Sequence, residues 1–318
     1  MTGRVLVTRR VFPEVTELLR CHFEVEDNPE DRILDAEGLA ARLADKEGLF
    51  SMATDRIDAA LIRRAPRLRA VANCAVGYNN IDVPACRARG IIVTNTPGVL
   101  DDTTADHAFA LLLAAARRVA ESDRWVREGR WKGWVFDDWL GADVHGARLG
   151  IVGMGRIGQA LARRAAGFSM RVSYHNRNRL PEAVETACSA RYAGQDELLR
   201  ESDFVVLTVP YTPETHHLIG AKELAQMKPG AILVNIARGG VVDDRALIEA
   251  LRSGRIAAAG LDVFEHEPKL DADFLRLPSA VLTPHIGSAT RATRMKMAML
   301  AAENLIAALS TGAPPNPV

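Results

Sequence analysis

The clearest indication of the fold is the segment LGIVGMGRIGQALARRA, residues 149–165. It contains a short apolar run, the pattern Gly153-x-Gly155-x-x-Gly158 and a segment typical of a helix. This strand–turn–helix order gives the glycine pattern its meaning, because glycines alone collect in many turns. Gly153 then allows the tight turn, Gly155 lets the backbone approach a pyrophosphate, and Gly158 lets helix and strand pack closely. The stretch predicts a dinucleotide-binding fold.

The following strand ends in HNRNR, residues 175–179. An NAD-binding fold usually has a carboxylate here, ~20 residues past the glycines, to bind the ribose 2′-OH. Asn176, 18 residues after Gly158, takes this place without a charge. Arg177 and Arg179 can bind a 2′-phosphate through charge-assisted hydrogen bonds. Merely solvated arginines are the alternative, but the position favours a site that prefers NADP(H) over NAD(H).

Strands and helices alternate on both sides of these segments. Apolar runs such as RVLVT (4–8), LFSM (49–52) and RAVANCA (69–75) alternate with helical patterns, and a second series begins at residue 147 and ends at AVLTP, residues 280–284. This alternation predicts parallel sheets covered by helices, an α/β architecture. The length of 318 residues predicts two domains of ~150 residues each.

Three further segments bear on the organisation of the chain. DDTTADHAFALLLAAARRVAESDRW, residues 101–125, is predicted to be one long helix. A final amphipathic helix is predicted over residues 289–310, and the proline-rich tail TGAPPNPV, residues 311–318, is predicted to be a loose end.

Composition excludes several classes of protein. Lys+Arg and Asp+Glu both number 40, so no net charge attracts nucleic acid or a membrane. The longest apolar run, AFALLLAAA at residues 108–116, is shorter than the ~18 residues of a membrane span. The four cysteines are scattered and form no metal-binding pattern. We expect a cytoplasmic protein with reduced thiols and no metal.

Three polar residues follow three apolar runs in the second half of the chain. Arg238 follows AILVN, Glu267 follows IAAAGLDVF, and His285 follows AVLTP. In an open parallel sheet the ligand crevice lies beyond the carboxyl ends of the strands, so these side chains are predicted to converge there. An arginine suits a carboxylate, and a histidine with a carboxylate partner suits proton transfer near neutral pH. Together they predict a hydride-transfer site.

These motifs resemble those of the D-isomer-specific 2-hydroxyacid dehydrogenases, most closely the glyoxylate/hydroxypyruvate reductases. The resemblance covers essentially the whole chain and is carried by NCAVGYNNID (73–82), NTPGVLDDTTADHAFALLL (95–113), LGIVGMGRIGQALA (149–162), TVPYTPETHHLI (208–219), LVNIARGGVVDDRAL (233–247), AGLDVFEHEP (259–268) and LTPHIGSAT (282–290). It implies a Rossmann-type cofactor domain, residues 98–287, inserted in a flavodoxin-like substrate domain of residues 1–97 and 288–318.

The resemblance also implies catalytic roles. Arg238 would bind the 2-keto acid carboxylate and polarise the carbonyl, and His285 would protonate the carbonyl oxygen as hydride arrives. Glu267 would orient His285 and favour its positively charged form. Backbone N–H groups of Val76 and Gly77 would bind the substrate carboxylate.

Cofactor contacts and an oligomeric state are implied as well. Asp262 would face the nicotinamide carboxamide, Thr104 and the glycine turn would contact the pyrophosphate, and Val209 with Pro210 would flank the adenine. The full set of cofactor residues is Thr104, Gly153, Gly155, Arg156, Ile157, Gly158, Asn176, Arg177, Arg179, Val209, Pro210, Ile236, Ala237, Asp262 and Gly287.

The resemblance further implies a homodimer formed through the region that contains all four tryptophans, residues 125–139, with Trp139 reaching the partner's active site. From composition alone, a local hydrophobic cluster and a subunit interface are equally good interpretations of these aromatics.

Three functions remain open on the sequence. The leading one is NADPH-dependent reduction of small 2-keto acids, glyoxylate and hydroxypyruvate first, to glycolate and D-glycerate. The second is NAD-dependent oxidation of another D-2-hydroxy acid. The third is a cofactor-sensing binding protein similar to the dehydrogenase-like corepressors, which keep similar catalytic residues.

Overall fold

The computed structural model describes residues 3–318. The chain divides into two compact units, each with its own parallel sheet: unit 1 ends at Leu100 and resumes at Ala289–Val318, and unit 2 is Asp101–Ser288. The predicted boundaries lay at residues 97/98 and 287/288. The prediction of two α/β domains with parallel sheets is confirmed.

Unit 1 has a five-stranded sheet in the order β2-β1-β3-β4-β5, with every pair parallel. This is the flavodoxin-like strand order. Its elements up to residue 100 are β1 Arg4–Val7, α1 Pro13–Arg20, β2 Glu24–Glu26, α2 Ala36–Leu43, β3 Gly48–Ser51, α3 Ala59–Arg64, β4 Ala70–Asn73, α4 Val83–Ala88 and β5 Ile92–Thr94.

Unit 2 has a seven-stranded parallel sheet in the order β12-β11-β10-β9-β6-β7-β8. The order reverses beside β6, as in a Rossmann fold. Its elements are α5 Asp101–Ala116, α6 Val119–Arg127, β6 Arg148–Val152, α7 Arg156–Ala166, β7 Arg171–His175, α8 Glu182–Ala187, β8 Ala190–Tyr192, α9 Gln195–Glu201, β9 Phe204–Leu207, α10 Ala221–Gln226, β10 Ile232–Asn235, α11 Asp244–Arg252, β11 Ala258–Leu261 and β12 Ala280–Leu282.

The prediction of a single helix over residues 101–125 is wrong. The helix ends at Ala116, and Arg118 adopts a left-handed conformation with φ of 53° before α6 begins. The carbonyl of Ala116 accepts a hydrogen bond from Ala142 N–H at 2.9 Å instead of continuing the helix. Arg118 also forms two hydrogen bonds to Glu121, of 2.9 and 3.0 Å, which stabilise the new start.

The last helix, α12, spans Arg291–Ser310 and is capped by Thr290, so it begins two residues later than predicted. The prediction of a loose tail is also wrong. Val318 N–H donates to Val93 O at 2.9 Å, and Asn316 N–H donates to the side chain of the fully buried Asn304 at 3.1 Å. These bonds attach the tail to β5 and α12.

The strands at the centre of unit 2 carry its core. All four residues of β9, β10 and β11 are buried, and Phe204, Leu149 and Tyr174 rank among the largest side chains that are almost fully buried. Because these strands are covered on both faces, their sequences are nearly continuous apolar runs. Polar residues therefore stand out where each strand ends. Between residues 3 and 318, no helix is both long and apolar enough to cross a membrane.

Candidate active site

The glycine turn between β6 and α7 has the geometry that its sequence predicts. Gly153 has a φ of 103°, and a Cβ there would lie 2.8 Å from Val209 N. A Cβ at Gly158 would lie 2.5 Å from Gly153 O, so this glycine lets the helix pack against the turn. At Gly155, by contrast, an added Cβ would meet no described atom within 4 Å. The turn therefore packs tightly against the protein at Gly153 and Gly158, and there is open space at Gly155.

The amino terminus of α7 faces this opening. Gly155 is its N-cap residue, and Arg156, Ile157 and Gly158 form its first turn, whose N–H groups have no partners within the helix. Arg156 has an exposed side chain, 3.7 Å from Asp101. The free N–H groups and the partial positive charge at a helix amino terminus favour a pyrophosphate. These residues fit the dinucleotide that the sequence predicts.

Asn176, at the end of β7, is tied to the glycine turn. Its Oδ1 accepts a hydrogen bond from Met154 N–H at 2.6 Å. This bond orients the amide, and the amide nitrogen has no hydrogen-bond acceptor within residues 3–318, so Asn176 has a donor to offer. A donor at this position suits a 2′-phosphate, whereas a carboxylate would repel it.

The two arginines after Asn176 differ in their surroundings. Arg179 binds Glu185 through two hydrogen bonds, of 2.8 and 2.7 Å, and Tyr174 donates to the same carboxylate at 2.6 Å. The Arg179 guanidinium, followed by the Tyr174 hydroxyl, lowers the pKa of Glu185 to about 2. Arg177 is exposed. Two of the donors of Arg179 are thus committed to α8, whereas Arg177 has the Glu214 carboxylate as an electrostatic neighbour.

The three predicted catalytic residues follow three neighbouring strands, β10, β11 and β12. His285 Nδ1 lies 2.8 Å from Glu267 Oε2, and Glu267 Oε1 accepts from Phe264 N–H at 3.0 Å. Both side chains are partly exposed. The ionised carboxylate can only accept, so Nδ1 carries the proton in this bond and Nε2 is the nitrogen that can exchange a proton with a ligand.

Asp262 fixes the turn that contains His285. Its carboxylate accepts from Ile286 N–H and Gly287 N–H at 2.8 Å each and from the Thr283 hydroxyl at 2.6 Å. His285 has a φ of 55°, a conformation that a non-glycine residue keeps only when its surroundings hold it. These bonds supply that restraint.

His107, from α5, completes this cluster. Its Nε2 lies 3.2 Å from Asp262 Oδ1 and 3.0 Å from Thr283 Oγ1. Burial alone would raise the pKa of Asp262, but the hydrogen bonds from His107 and Thr283 and from the backbone outweigh it and hold the pKa below its ordinary value. Asp262 is therefore a buried anion with several donors, and its predicted contact with a carboxamide stays a prediction.

Arg238 lies on the turn after β10, which Asn235 shapes. Asn235 Oδ1 accepts from Ala237 N–H at 3.0 Å, and its amide donates to Arg238 O at 3.2 Å. Arg238 Nη1 donates to Ala237 O at 2.8 Å. Burial lowers the pKa of the Arg238 guanidinium, and the nearby Glu267 carboxylate offsets part of that effect. Arginine stays charged under such a shift, so the turn presents a cation beside the His285–Glu267 pair.

The Arg238 turn packs directly on the turn that leads to Glu267. A Cβ at Gly239 would lie 1.7 Å from Phe264 O and 2.7 Å from Glu265 N. Only a glycine permits this approach, so the two turns are in van der Waals contact through the Phe264–Glu265 peptide.

The other predicted cofactor residues lie on the same edge of unit 2. Thr104 is buried, and its side chain would be 3.4 Å from a Cβ at Gly287. Val209 and Pro210 follow β9, and the Val209 backbone borders Gly153. Ile236 and Ala237 are buried in the turn after β10. Their cofactor roles stay predictions.

The predicted substrate residues of unit 1 lie in the loop after β4. Asn95 donates to Val76 O at 2.8 Å, and Asn73 donates to Gly77 O at 2.9 Å. Within residues 3–318, the N–H groups of Val76 and Gly77 have no hydrogen-bond acceptor. The loop therefore has two oriented carbonyls and two available donors, and its role in substrate binding stays a prediction.

Sequence reasoning missed the residues that hold the site together. His107, Thr283 and Asn235 make its positioning bonds, yet none was a candidate. One signal was present, since Asn235 is a polar residue at the end of the buried strand ILVN. The described residues, 3 to 318, include no group of three or more His, Cys, Asp or Glu arranged to hold a metal ion.

The fold and the site together define a dinucleotide-dependent oxidoreductase. A family model described as D-isomer specific 2-hydroxyacid dehydrogenase, NAD binding domain, matches residues 109–287. The chain belongs to the D-isomer-specific 2-hydroxyacid dehydrogenase family and is an NAD(P)-dependent enzyme. The predicted family and Rossmann fold are confirmed.

Named relatives are similar over nearly the whole chain. A glyoxylate reductase of Thermococcus gammatolerans is 52% identical and aligns with 99% of this chain and 95% of its own length. A crystal structure of a protein from Thermus thermophilus has a TM-score of 0.91 at 48% identity, covering 99% of both chains. An NADPH-dependent glyoxylate/hydroxypyruvate reductase of Sinorhizobium meliloti, in complex with NADP and malonate, has a TM-score of 0.89 at 36% identity, covering 100% of this chain and 97% of that one.

Proposed function

We propose that the protein reduces small 2-keto acids, glyoxylate and hydroxypyruvate first, to glycolate and D-glycerate, with NADPH as the preferred cofactor. The observation that carries the proposal is the His285–Glu267 pair beside Arg238, at adjacent strand ends of a dinucleotide fold. The names of the relatives, glyoxylate reductase and NADPH-dependent glyoxylate/hydroxypyruvate reductase, support the substrate class.

In this proposal His285 supplies the proton of the reduction. The bound cofactor supplies a hydride to the carbonyl carbon. His285 Nε2 gives its proton to the carbonyl oxygen, so the keto group becomes a hydroxyl. Glu267 keeps Nδ1 protonated and stabilises the imidazolium before transfer. Asp262 holds the left-handed turn that aims the ring.

Arg238 binds the substrate carboxylate in this proposal. Its planar fork matches two carboxylate oxygens, and its partly buried setting strengthens that attraction relative to water. A cation beside the carbonyl also stabilises negative charge that develops on the carbonyl oxygen. The N–H groups of Val76 and Gly77 stay predicted donors to the same carboxylate.

The preference for NADPH rests on the end of β7. Asn176 offers its amide nitrogen because its oxygen is bound to Met154 N–H, and Arg177 is exposed beside it. Both features suit a 2′-phosphate better than a free 2′-OH.

One observation favours a second candidate, oxidation of a D-2-hydroxy acid with NAD. Arg179 is bound to Glu185, and moving it to a phosphate would leave that nearly buried carboxylate short of a partner. If Arg177 alone binds the phosphate, the preference for NADPH is weaker than two arginines would give.

We also propose a homodimer formed through the tryptophan-containing region, residues 125–139, together with the adjoining Leu140. Trp131, Trp134, Phe136 and Leu140 are all more than 60% exposed, which is unusual for large apolar side chains so close together in sequence. Trp139 is held by Arg118, whose guanidinium lies 4.8 Å from its ring. Light scattering would test the assembly, with Trp134→Ser plus Phe136→Ser shifting the mass toward the monomer.

A cytoplasmic location stays a prediction.

The activity is tested by initial rates with a panel of 2-keto acids, each with NADPH and with NADH. We expect turnover of glyoxylate and hydroxypyruvate, with a higher kcat/KM for NADPH. Better use of NADH would favour the second candidate, and no turnover of any 2-keto acid would contradict the proposed reaction.

A further inference from the structure

The segment His217–Ile219 borders the turn that contains Arg238. His217 N–H donates to Gly240 O at 2.7 Å, Ile219 N–H donates to Val241 O at 3.1 Å, and Asp243 N–H donates to Ile219 O at 3.0 Å. Gly240 lies two residues after Arg238. The main chain of this segment is therefore attached to the Arg238 turn by three hydrogen bonds.

The side chain of His217 reaches the other catalytic turn. Its Nε2 is hydrogen bonded to the carboxylate of Glu265, two residues before Glu267. The N–H of Glu265 in turn donates to Asp244 Oδ2 at 3.1 Å. Glu265 is thus held at its side chain by His217 and at its backbone by the first residue of α11.

The conformation of His217 indicates that its place is strongly determined. Its φ is 49°, which is rare for a residue other than glycine and persists only when surrounding contacts enforce it. The ring of His216 stacks on it at 3.9 Å between centroids, and His216 Nδ1 is 3.1 Å from the Tyr211 hydroxyl.

We propose that His217 is a positioning residue that fastens the Arg238 turn to the Glu267 turn through its backbone bond to Gly240 and its side-chain bond to Glu265. The inference rests on the proposed function, since it assigns the two turns to one reaction. Arg238 holds the substrate carboxylate, and Glu267 holds His285. The carbonyl of the substrate lies correctly for both only when the two turns keep a fixed separation.

The contact at Gly239 sets how closely the turns approach, and His217 sets how they are aligned along each other. Van der Waals contact resists compression but allows sliding. The hydrogen bond from His217 to Glu265 is directional and opposes that sliding. Loss of this bond leaves the fold in place and lets the Glu265–Glu267 segment shift relative to Arg238.

The test compares His217→Ala with His217→Gln in the full-length protein. The amide nitrogen of glutamine can replace Nε2 as the donor to Glu265, whereas alanine cannot. We expect kcat/KM with glyoxylate and NADPH to fall about 10- to 100-fold in the alanine variant, mostly in kcat, because small misplacements cost that much. The glutamine variant should recover most of the loss. His145→Ala, an exposed histidine before β6, is the matched control and should behave as the wild type.

A second readout needs no turnover. Hydrogen–deuterium exchange in the cofactor-free protein should be faster in the peptide that contains Phe264–Glu267 for His217→Ala, and near the wild-type rate for His217→Gln. Equal exchange and equal kinetics in the alanine variant would overturn the inference, as would a loss that glutamine does not rescue. A wild type with no 2-keto acid activity would contradict the proposed function instead, while the exchange result would still decide whether His217 links the turns.

Discussion

The two ends of the carboxyl edge of unit 2 are built differently. At the catalytic end, buried polar residues shape two of the turns: Asn235 shapes the Arg238 turn and Asp262 shapes the His285 turn. At the proposed cofactor end, Arg177 and Arg179 lie exposed at the surface. Arg179 forms an ion pair with Glu185, and Arg177 interacts electrostatically with the Glu214 carboxylate.

Because the two ends differ in this way, turnover and cofactor preference should respond separately to mutation. At the catalytic end many contacts depend on one another, so single changes should have large effects on turnover. At the proposed cofactor end the two arginine side chains are exposed, so changes there should shift cofactor preference by degrees and leave the fold intact. A small effect of mutation on turnover at the catalytic end, or a large loss of stability on mutation of Arg177, would contradict this distinction.

Outside the three proposed catalytic residues, the largest effect should follow from Gly239→Ala. The new Cβ would lie 1.7 Å from Phe264 O, so the Arg238 and Glu267 turns would have to separate. We expect kcat/KM to fall at least ~100-fold and the free energy of unfolding to fall by ~1–3 kcal/mol. Steady-state kinetics and chemical denaturation would measure both. Gly194→Ala is the control, because a Cβ there meets nothing within 4 Å; equal behaviour of the two variants would contradict the packing argument.

Replacement of each arginine in turn should have a smaller effect and should distinguish their roles. Arg177→Ala should raise KM for NADPH about 10- to 100-fold, since a hydrogen bond to a charged group contributes ~1.5–3 kcal/mol, and leave KM for NADH nearly unchanged. Arg179→Ala should act mainly through stability, because it leaves Glu185 without its main cation. If Arg179→Ala raised KM for NADPH more than Arg177→Ala did, the assignment of Arg177 as the main phosphate contact would be wrong.

The smallest effect concerns Asp244 and pH. Burial, with the neighbouring carboxylates of Glu265, Asp243 and Asp271, raises the pKa of Asp244 to about 6. The folded state therefore holds this proton more tightly than the unfolded chain, whose ordinary value is ~3.9. Stability is lost as pH rises from ~4 through 6, and the penalty is complete above that range.

Asp244→Asn removes the ionisation and keeps an acceptor for Glu265 N–H. The variant should be more stable than the wild type by on the order of 1–2 kcal/mol at pH 7, and the advantage should disappear toward pH 4. Unfolding free energies across pH 4–8 would measure this. A difference that stays constant with pH would mean that Asp244 is not the titrating group.

Much of the fold could be predicted because the sequence patterns that specify it lie within short segments of the chain. The run LGIVGMGRIG specifies strand, turn and helix within a few residues, and the structure gives Gly153 and Gly158 the close contacts expected of them. The positions of Arg238, Glu267 and His285 after apolar strands were equally visible, because burial on both faces makes those strands conspicuous.

What sequence could not predict depends on contacts between distant residues. The break at Arg118 follows from Ala142 taking the carbonyl of Ala116, and the ordered tail follows from Asn304 within α12. Arg179 and Glu185 lie only six positions apart, but their pairing depends on how the segment between β7 and α8 folds. His217 and Glu265 lie 48 positions apart, and only the fold brings them together.

The main proposal is that His285 gives a proton to a 2-keto acid bound by Arg238 while the cofactor supplies the hydride, and the sharpest test of it is His285→Ala. We measure kcat with glyoxylate together with the Kd for NADPH, and use His145→Ala as the control. We expect kcat to fall by ~10²–10⁴ and the Kd for NADPH to stay near that of the wild type. Turnover by the variant at the wild-type rate would contradict the proposal.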